Sequence, residues 1–207
     1  MAEKLLQDNK LLFDPGPGKL YRWNGKYWQE FEREHLENSC TKYLHIEANK
    51  NRVADAAYQA RILSTIPIGR SVNDRDDFIC IQNGMLNINT FEIVPHDPDF
   101  MATYALPVSL DPESDRRCVN FERYLETSVQ DPESIAQLQE FAGYIISRDT
   151  KYEKCLFLLG PGRDGKSKFI NAMKDMVGID NISAVSFADL EKEFARSSLY
   201  NKMLNSS

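Results

Sequence analysis

Residues 155–178 read CLFLLGPGRDGKSKFINAMKDMVG. An apolar run of β type, residues 155–159, comes first, and the pattern GxxxxGKS follows at residues 160–167. A helical pattern comes last, with its apolar side chains on one side: Phe169, Ile170, Met173 and Val177. A strand, a glycine-rich loop and a helix in this order are typical of a phosphate-binding P-loop, the Walker A motif. The segment therefore predicts an α/β fold that includes the start of a P-loop domain with a parallel sheet.

The residue types in this loop fit the chemistry of phosphate binding. Glycines let the backbone turn tightly and bring its N–H groups against phosphate oxygens, where a Cβ would obstruct. The helix that begins near Lys166 directs the positive end of its dipole at the same anion. We expect Lys166, the predicted catalytic residue, to reach the β- and γ-phosphates of ATP, and the Ser167 hydroxyl to bind Mg²⁺. The predicted nucleotide-binding residues are Gly160, Pro161, Gly162, Arg163, Asp164, Gly165, Lys166, Ser167 and Lys168.

Three regions are predicted to precede this core. Residues 1–19 are a polar lead that ends in the turn-rich DPGPGK, where two prolines and two glycines predict no regular structure. Residues 20–115 are a mixed helical and β-hairpin domain, and residues 116–150 are a helical connector. Residues 151–207 then begin the P-loop core and leave it incomplete.

A β-hairpin is predicted at LYRWNGKYWQ, with Asn24 and Gly25 as its two-residue turn. In that register Tyr21, Trp23 and Trp28 share one face, together with Lys26. Aromatic rings beside a basic side chain could stack single-stranded bases. A hairpin also needs one apolar face to bury, and we favour core packing for these rings.

Further elements follow from hydrophobic period and from turn residues. Helices are predicted at residues 30–48 and 52–66, and a strand with a hairpin is predicted within residues 78–94. Asp131 followed by Pro132 predicts a helix start, with Asp131 as the N-cap and Pro132 as the first helical residue.

Composition limits the location and the partners. No apolar run approaches the roughly eighteen residues of a membrane span, and the N-terminus is charged where a signal peptide is apolar. We therefore expect a cytoplasmic protein, without a membrane partner. Residues 1–150 carry a net charge of −8 and residues 151–207 a net charge of +2. We therefore do not expect residues 1–150 to bind nucleic acid by charge alone.

The four cysteines lie far apart without a CxxC pair, which predicts reduced structural cysteines.

Taken together, these segments resemble the helicase half of the phage and plasmid primase–helicases. That group includes the poxvirus primase–helicase and belongs to superfamily 3 of the AAA+ ATPases. The likeness runs from LYRWNGKYW through NGMLNINTFEIVPHDPD and YALPVSLDP to LQEFAGYIIS and CLFLLGPGRDGKS. It implies an AAA+ core, a homo-hexameric ring and ATP-driven translocation along single-stranded DNA, in a bacterial or phage-infected cell. The parent protein would then be a DNA-stimulated ATPase and replicative helicase, with no DNA-binding residue assigned.

The chain departs from this family at three places. Phe91 stands where the family often has Gly in a hairpin turn, and Asp164 stands where it commonly has Asn. We expect the function to survive both. The sequence ends at Ser207, within a segment that resembles the strand leading to the Walker B acids. We therefore expect a truncated chain that binds ATP without hydrolysing it, because hydrolysis also needs charge stabilisation and water positioning.

Two other functions remain open from the sequence. A small P-loop kinase would transfer a phosphoryl group from ATP to a metabolite without DNA. A non-enzymatic oligomerisation or loader-docking module would use the P-loop only as structure.

Overall fold

The computed structural model describes residues 6, 9–114, 117–147, 151–192, 195, 198–199 and 202–206. In this part of the chain the fold is mixed α/β, with five α-helices, two small antiparallel sheets and one two-stranded parallel sheet. The chain divides into two compact units. The first comprises Met1–Asn87 with Glu92–Ala105, and the second comprises Ile88–Phe91 with Leu106–Ser207.

The first unit begins with a three-stranded antiparallel sheet. Strands β1 (Leu11–Asp14), β2 (Lys19–Trp23) and β3 (Trp28–Glu30) pair in chain order. The predicted hairpin is confirmed as β2 and β3, but its turn has four residues rather than two. The side-chain oxygen of Asn24 accepts the backbone N–H groups of both Lys26 and Tyr27, each at 2.9 Å, and this Asx-type bonding closes the longer turn.

Strand β1 lies inside residues 1–19, which were predicted as a polar lead without a strand, whereas residues 15–18 of DPGPGK form a turn as predicted. Its residues Leu11, Leu12 and Phe13 are buried. Asp14 pairs with Lys19 at the end of the β1–β2 ladder. The proline- and glycine-rich residues 15–18 are therefore a hairpin connection between two strands and not a boundary before the fold.

Two helices pack on this sheet and confirm the two predicted helices, with bounds that differ by two to four residues. Helix α1 spans Arg33–Leu44, and a 3₁₀ turn follows at His45–Glu47. Helix α2 spans Lys50–Leu63 and is capped by Asn49, whose side chain accepts the Arg52 N–H at 3.0 Å. One buried cluster joins the sheet to both helices: Leu11, Phe13, Leu20, Leu36, Cys40, Ala57 and Ala60.

The hairpin aromatics pack in the core, as the sequence analysis favoured. Tyr21 and Trp28 are buried, and the Trp28 indole N–H donates to the Pro98 carbonyl at 2.9 Å. Trp23 packs edge-on against Trp28, with ring centroids 5.6 Å apart. Lys26 lies in the turn, and its Nζ donates to Oε1 of Gln82 at 2.6 Å.

The second sheet of the first unit confirms the strand and hairpin predicted within residues 78–94. Strands β4 (Phe78–Ile81), β5 (Gly84–Asn87) and β6 (Ile93–Val94) are antiparallel and pair in chain order. Cys80 of β4 is buried, and burial raises the pKa of its thiol to about 12.

The cysteines follow the prediction in part. All four are free thiols. Cys40 and Cys80 belong to the core, whereas Cys118 and Cys155 are exposed and do not contribute to it.

The second unit contains helices α3 (Val119–Ser128), α4 (Pro132–Ser147) and α5 (Lys166–Val177). Strand β7 (Ile182–Ser183) pairs in parallel with β8 (Leu204–Asn205). The predicted start of α4 is confirmed, because the Asp131 carboxylate accepts the Ser134 N–H at 2.8 Å. No helix in the described part of the chain is long and apolar enough to cross a membrane.

Residues 155–159, predicted as a strand, have no strand pairing, so the prediction was wrong at this point. An apolar run forms a strand only when a neighbour supplies the other half of the hydrogen-bond ladder. The parallel pairing of the second unit joins β7 to β8 instead.

Candidate functional site: the loop before helix α5

The glycine-rich loop, residues 160–165, leads directly into α5. Gly165 has φ +93°, in the left-handed region that favours glycine, and its carbonyl accepts the N–H groups of Lys168 at 2.8 Å and Phe169 at 3.2 Å. The helix therefore starts where the GxxxxGKS pattern predicted. Its apolar face is buried through Phe169, Met173 and Val177, which anchors the helix while its first turn stays accessible.

Lys166 turns back over the loop. Its Nζ lies 2.6 and 2.7 Å from the two carboxylate oxygens of Asp164 and 3.0 Å from the carbonyl oxygen of Gly160. The hydrogen bond and charge of Lys166 hold the pKa of Asp164 below its usual range, so Asp164 is ionised at neutral pH. The predicted catalytic lysine thus lies at the loop and is bound to an anion within it.

The fold requires glycine at two of the three glycine positions of the loop. A Cβ at Gly160 would collide with the Asp164 carboxylate, so Gly160 makes room for the ion pair. A Cβ at Gly165 would lie 3.1 Å from the Tyr124 ring, in addition to the strain of its positive φ. A Cβ at Gly162 would meet no atom within 4 Å, and its φ is outside the left-handed region. Neither packing nor backbone conformation requires glycine at position 162.

Tyr124 of α3 contacts the end of the glycine-rich loop. Its hydroxyl donates to the Gly165 carbonyl at 2.8 Å, and desolvation raises the pKa of the phenol, which keeps the proton on that donor. Phe121, one turn earlier on α3, stacks with Phe169 of α5 at a centroid distance of 6.4 Å. Helix α3 therefore fixes both the end of the loop and the start of α5.

Sequence reasoning missed Tyr124. The residue lies 41 positions before Gly165, and no local pattern joins an aromatic of one helix to a carbonyl of a distant loop. The available signal was the apolar spacing of Phe121 and Leu125 on α3, which indicated a face that must pack on something.

The other predicted binding residues are at the surface. Asp164, Gly165 and Lys166 are half-buried, and the remainder are exposed: Gly160, Pro161, Gly162, Arg163, Ser167 and Lys168. The structure brings the nine residues together in one loop and one helical turn, as expected from their contiguity. Their assignment to nucleotide binding stays a prediction.

The donor set for Mg²⁺ is small. Ser167 is exposed on the first turn of α5, and the described residues include no cluster of three or more His, Cys, Asp or Glu side chains suited to a metal. Mg²⁺ binds through one or two protein oxygens together with phosphate oxygens and waters. The Ser167 hydroxyl fits that mode, in which it would hold an ion that arrives with a nucleotide.

Comparison with known families gives the identity of the front of the chain. A family profile described as D5 N terminal like matches residues 1–130, which is more than half of the chain. The chain belongs to the D5 N-terminal-like family. This family is the N-terminal domain of the D5-like primase–helicases, so the resemblance noted in the sequence is confirmed at the level of the primase–helicase family.

The D5 N-terminal-like match includes the first unit's sheets and helices and extends through α3, including Tyr124. The loop at residues 160–165 and helix α5 lie beyond it. No curated protein matches the chain. Family membership therefore connects the chain to phage-type DNA replication, and the role of the loop is argued from its own geometry.

Proposed function

We propose that this chain is the front part of an ATP-dependent replicative DNA helicase of the primase–helicase type, and that residues 160–167 bind ATP with Mg²⁺. Membership of the D5 N-terminal-like family supports the first half, because this domain belongs to primase–helicases. The loop before α5 supports the second half.

Gly162 carries the argument for a ligand at the loop. Since a Cβ there would meet open space, and since its φ is one that other residues adopt, the folded chain has no need of glycine at that position. A phosphate that lies against the loop backbone does need it, because a Cβ would stand between the N–H groups and the phosphate oxygens.

Three basic side chains against the one carboxylate of Asp164 leave the loop and the first turn of α5 with a net positive charge, which favours an anion. Lys166 and Lys168 lie on the first turn of α5, and Arg163 lies in the loop itself. The free N–H groups and the dipole at the start of a helix attract the same ligand. In this proposal Lys166 binds the β- and γ-phosphates, and the Ser167 hydroxyl binds Mg²⁺.

The decisive test compares three variants for binding of a fluorescent ATP analogue with Mg²⁺ and for stability to urea. Gly162→Ala is expected to lose affinity about tenfold while its free energy of unfolding changes by less than about 0.5 kcal/mol. Lys166→Ala is expected to lose affinity about fiftyfold, since hydrogen bonds to charged groups are the strong ones. Gly143→Ala in α4, where a Cβ also meets open space, is the matched control and should bind like the parent chain.

Equal binding by all four proteins would contradict the nucleotide site. Loss of binding in Gly162→Ala together with loss of stability would also contradict it, because the glycine would then serve the fold.

The helicase half of the proposal is tested by steady-state ATP hydrolysis of the longest product of the gene, with and without single-stranded DNA. Stimulation by DNA that disappears in Lys166→Ala is the expected result, and analytical ultracentrifugation is expected to find a hexamer. Hydrolysis that ignores DNA would contradict the helicase. Transfer of phosphate to a nucleoside would indicate a kinase, and assembly that ignores both ATP and Lys166→Ala would indicate a docking module.

Residues 1–207 by themselves are proposed to bind ATP without turning it over. Phosphate binding alone does not position the attacking water or stabilise the charge that develops on the transferred phosphoryl group. Robust ATP hydrolysis by this chain would contradict that part of the proposal.

A further inference from the structure

The ammonium group of Lys166 is surrounded by acceptors of the loop. It carries three N–H donors, and three acceptors lie within hydrogen-bond distance: Oδ2 of Asp164 at 2.6 Å, Oδ1 of Asp164 at 2.7 Å and the Gly160 carbonyl at 3.0 Å. Both side chains of the ion pair are half-buried, with exposed fractions of 29% for Lys166 and 26% for Asp164. A phosphate oxygen that binds Lys166 must therefore compete with the Asp164 carboxylate for the ammonium group.

The acceptor that a phosphate replaces is the carboxylate. The Gly160 carbonyl is neutral backbone and can share the ammonium with an anion. Asp164 is itself an anion, and it lies within the loop that the triphosphate must enter, so it competes for Lys166 and also repels the incoming charge.

We propose that Asp164 is a built-in competitor of the nucleotide, whose carboxylate occupies the Lys166 donors that a phosphate needs and thereby lowers the affinity of the loop for triphosphates. This inference rests on the proposed nucleotide binding at residues 160–167 and specifies what regulates it. Its consequence is a loop that fills only at high triphosphate concentration, or when a binding partner draws Asp164 away.

The geometry of the loop supports this role. The Asp164 carboxylate lies over Gly160, in the space that a Cβ of any other residue would occupy. Gly160 thus permits the closed ion pair, whereas Gly162 has open space beside it. The loop combines one glycine that accommodates its internal anion with another that leaves room for an external one.

The experiment replaces Asp164 by a side chain of the same shape without charge. Asp164→Asn keeps one carbonyl oxygen for Lys166 and offers an amide N–H to phosphate, and Asp164→Ala removes both functions. Isothermal titration with ATP and Mg²⁺, and separately with inorganic triphosphate, is expected to give about tenfold tighter binding for both variants. Adenosine, which has no phosphate, is the ligand control and should not discriminate the variants from the parent chain.

Asp175→Asn is the matched protein control. Asp175 is exposed on α5, nine residues after Lys166 and therefore about 14 Å along the helix axis from it. Asp175→Asn changes the net charge by the same amount as Asp164→Asn, at a position that does not contact the loop. Equal affinity of Asp175→Asn and the parent chain shows that a gain in the Asp164 variants comes from the loop.

The outcomes separate this inference from the proposed function. A gain in both Asp164 variants that disappears when Lys166→Ala is added supports the inference. Binding that depends on Lys166 but is equal in the parent chain and both Asp164 variants overturns the inference alone. Absence of triphosphate binding in every form, including Asp164→Asn, overturns the inference and the nucleotide site together.

Discussion

Lys26 of the first unit lies beside the hairpin aromatics, and Lys166 of the second unit lies beside the glycine-rich loop. Both sequence patterns suggest a ligand, but the surroundings of the two lysines differ. Lys26 follows the hairpin aromatics, yet Tyr21 is buried and Nζ of Lys26 donates to the neutral amide of Gln82. Lys166 binds a carboxylate and a carbonyl in a loop whose Gly162 is not required by packing. Apolar burial explains the first pattern and leaves the second unexplained, so only the second points to a ligand.

The largest expected effect on stability compares a buried leucine of the first unit with an exposed leucine of the second unit. Leu36 of α1 has no exposed surface, whereas Leu159, just before the glycine-rich loop, is 92% exposed. Leu36→Ala should lower the free energy of unfolding by about 3 kcal/mol, because it removes buried methyl groups and leaves a cavity. Leu159→Ala should change it by less than about 0.5 kcal/mol.

Urea unfolding followed by circular dichroism measures both changes. A cost for Leu159→Ala as large as that for Leu36→Ala would mean that residues 155–159 are packed in solution, and the contrast between the units would fail.

A smaller effect tests whether the loop is held by a hydrogen bond rather than by apolar contact. Tyr124→Phe keeps the ring of Tyr124 against Gly165 and removes only the hydroxyl that donates to its carbonyl. The expected cost is about 1 kcal/mol of stability, with faster amide exchange at Lys168 and Phe169, whose N–H groups share that carbonyl.

Tyr152→Phe is the matched control, since Tyr152 is 59% exposed. Unchanged amide exchange in Tyr124→Phe would mean that stacking of Phe121 on Phe169 alone positions the loop.

The sequence predicted most of the elements of the first unit because their patterns are local. The hairpin of β2 and β3 is indicated by its turn residues Asn24 and Gly25, and in the second unit the helix cap at Asp131 depends on residues only three positions apart. The strand β1 was missed because LLFD is short and lies next to proline and glycine, which were interpreted as a break. Local patterns cannot distinguish a hairpin connection from a boundary when the partner strand decides.

The same limit explains what was predicted of the site. The order of residues in GxxxxGKS gives the loop, the start of α5 and the placement of Lys166, since all are contiguous. It does not give Tyr124, which meets Gly165 only through folding.

Phe91, in the turn after β5, has φ +60°, a conformation that costs a bulky residue about 1 kcal/mol and that glycine adopts freely. A physical reason therefore exists for the glycine often found there in the family that the sequence resembles.

The smallest expected effect compares the ion pair of the first unit with that of the loop. Arg70 binds the Asp74 carboxylate through two nitrogens and also donates to the Asp99 carbonyl at 2.9 Å. The Arg70 hydrogen bond holds the pKa of Asp74 below its usual range. This pair joins two stretches of backbone, whereas Asp164 and Lys166 are two positions apart in one loop.

Because the folded pKa of Asp74 is lowered, its contribution to stability is complete above the unfolded value, about pH 4, and disappears as the pH falls through the folded value. Asp74→Asn should therefore cost about 0.5 kcal/mol at pH 7, a discounted value because the pair is partly exposed. The difference from the parent chain should shrink toward zero as the pH is lowered to about 2 in urea titrations. Asp55→Asn, which makes the same change in net charge at an exposed position of α2, is the matched control. If Asp74→Asn lowers the free energy of unfolding by the same amount at every pH, the stability lost in the variant does not come from the ionised carboxylate. The Arg70–Asp74 pair would then differ from the Lys166–Asp164 pair in geometry alone.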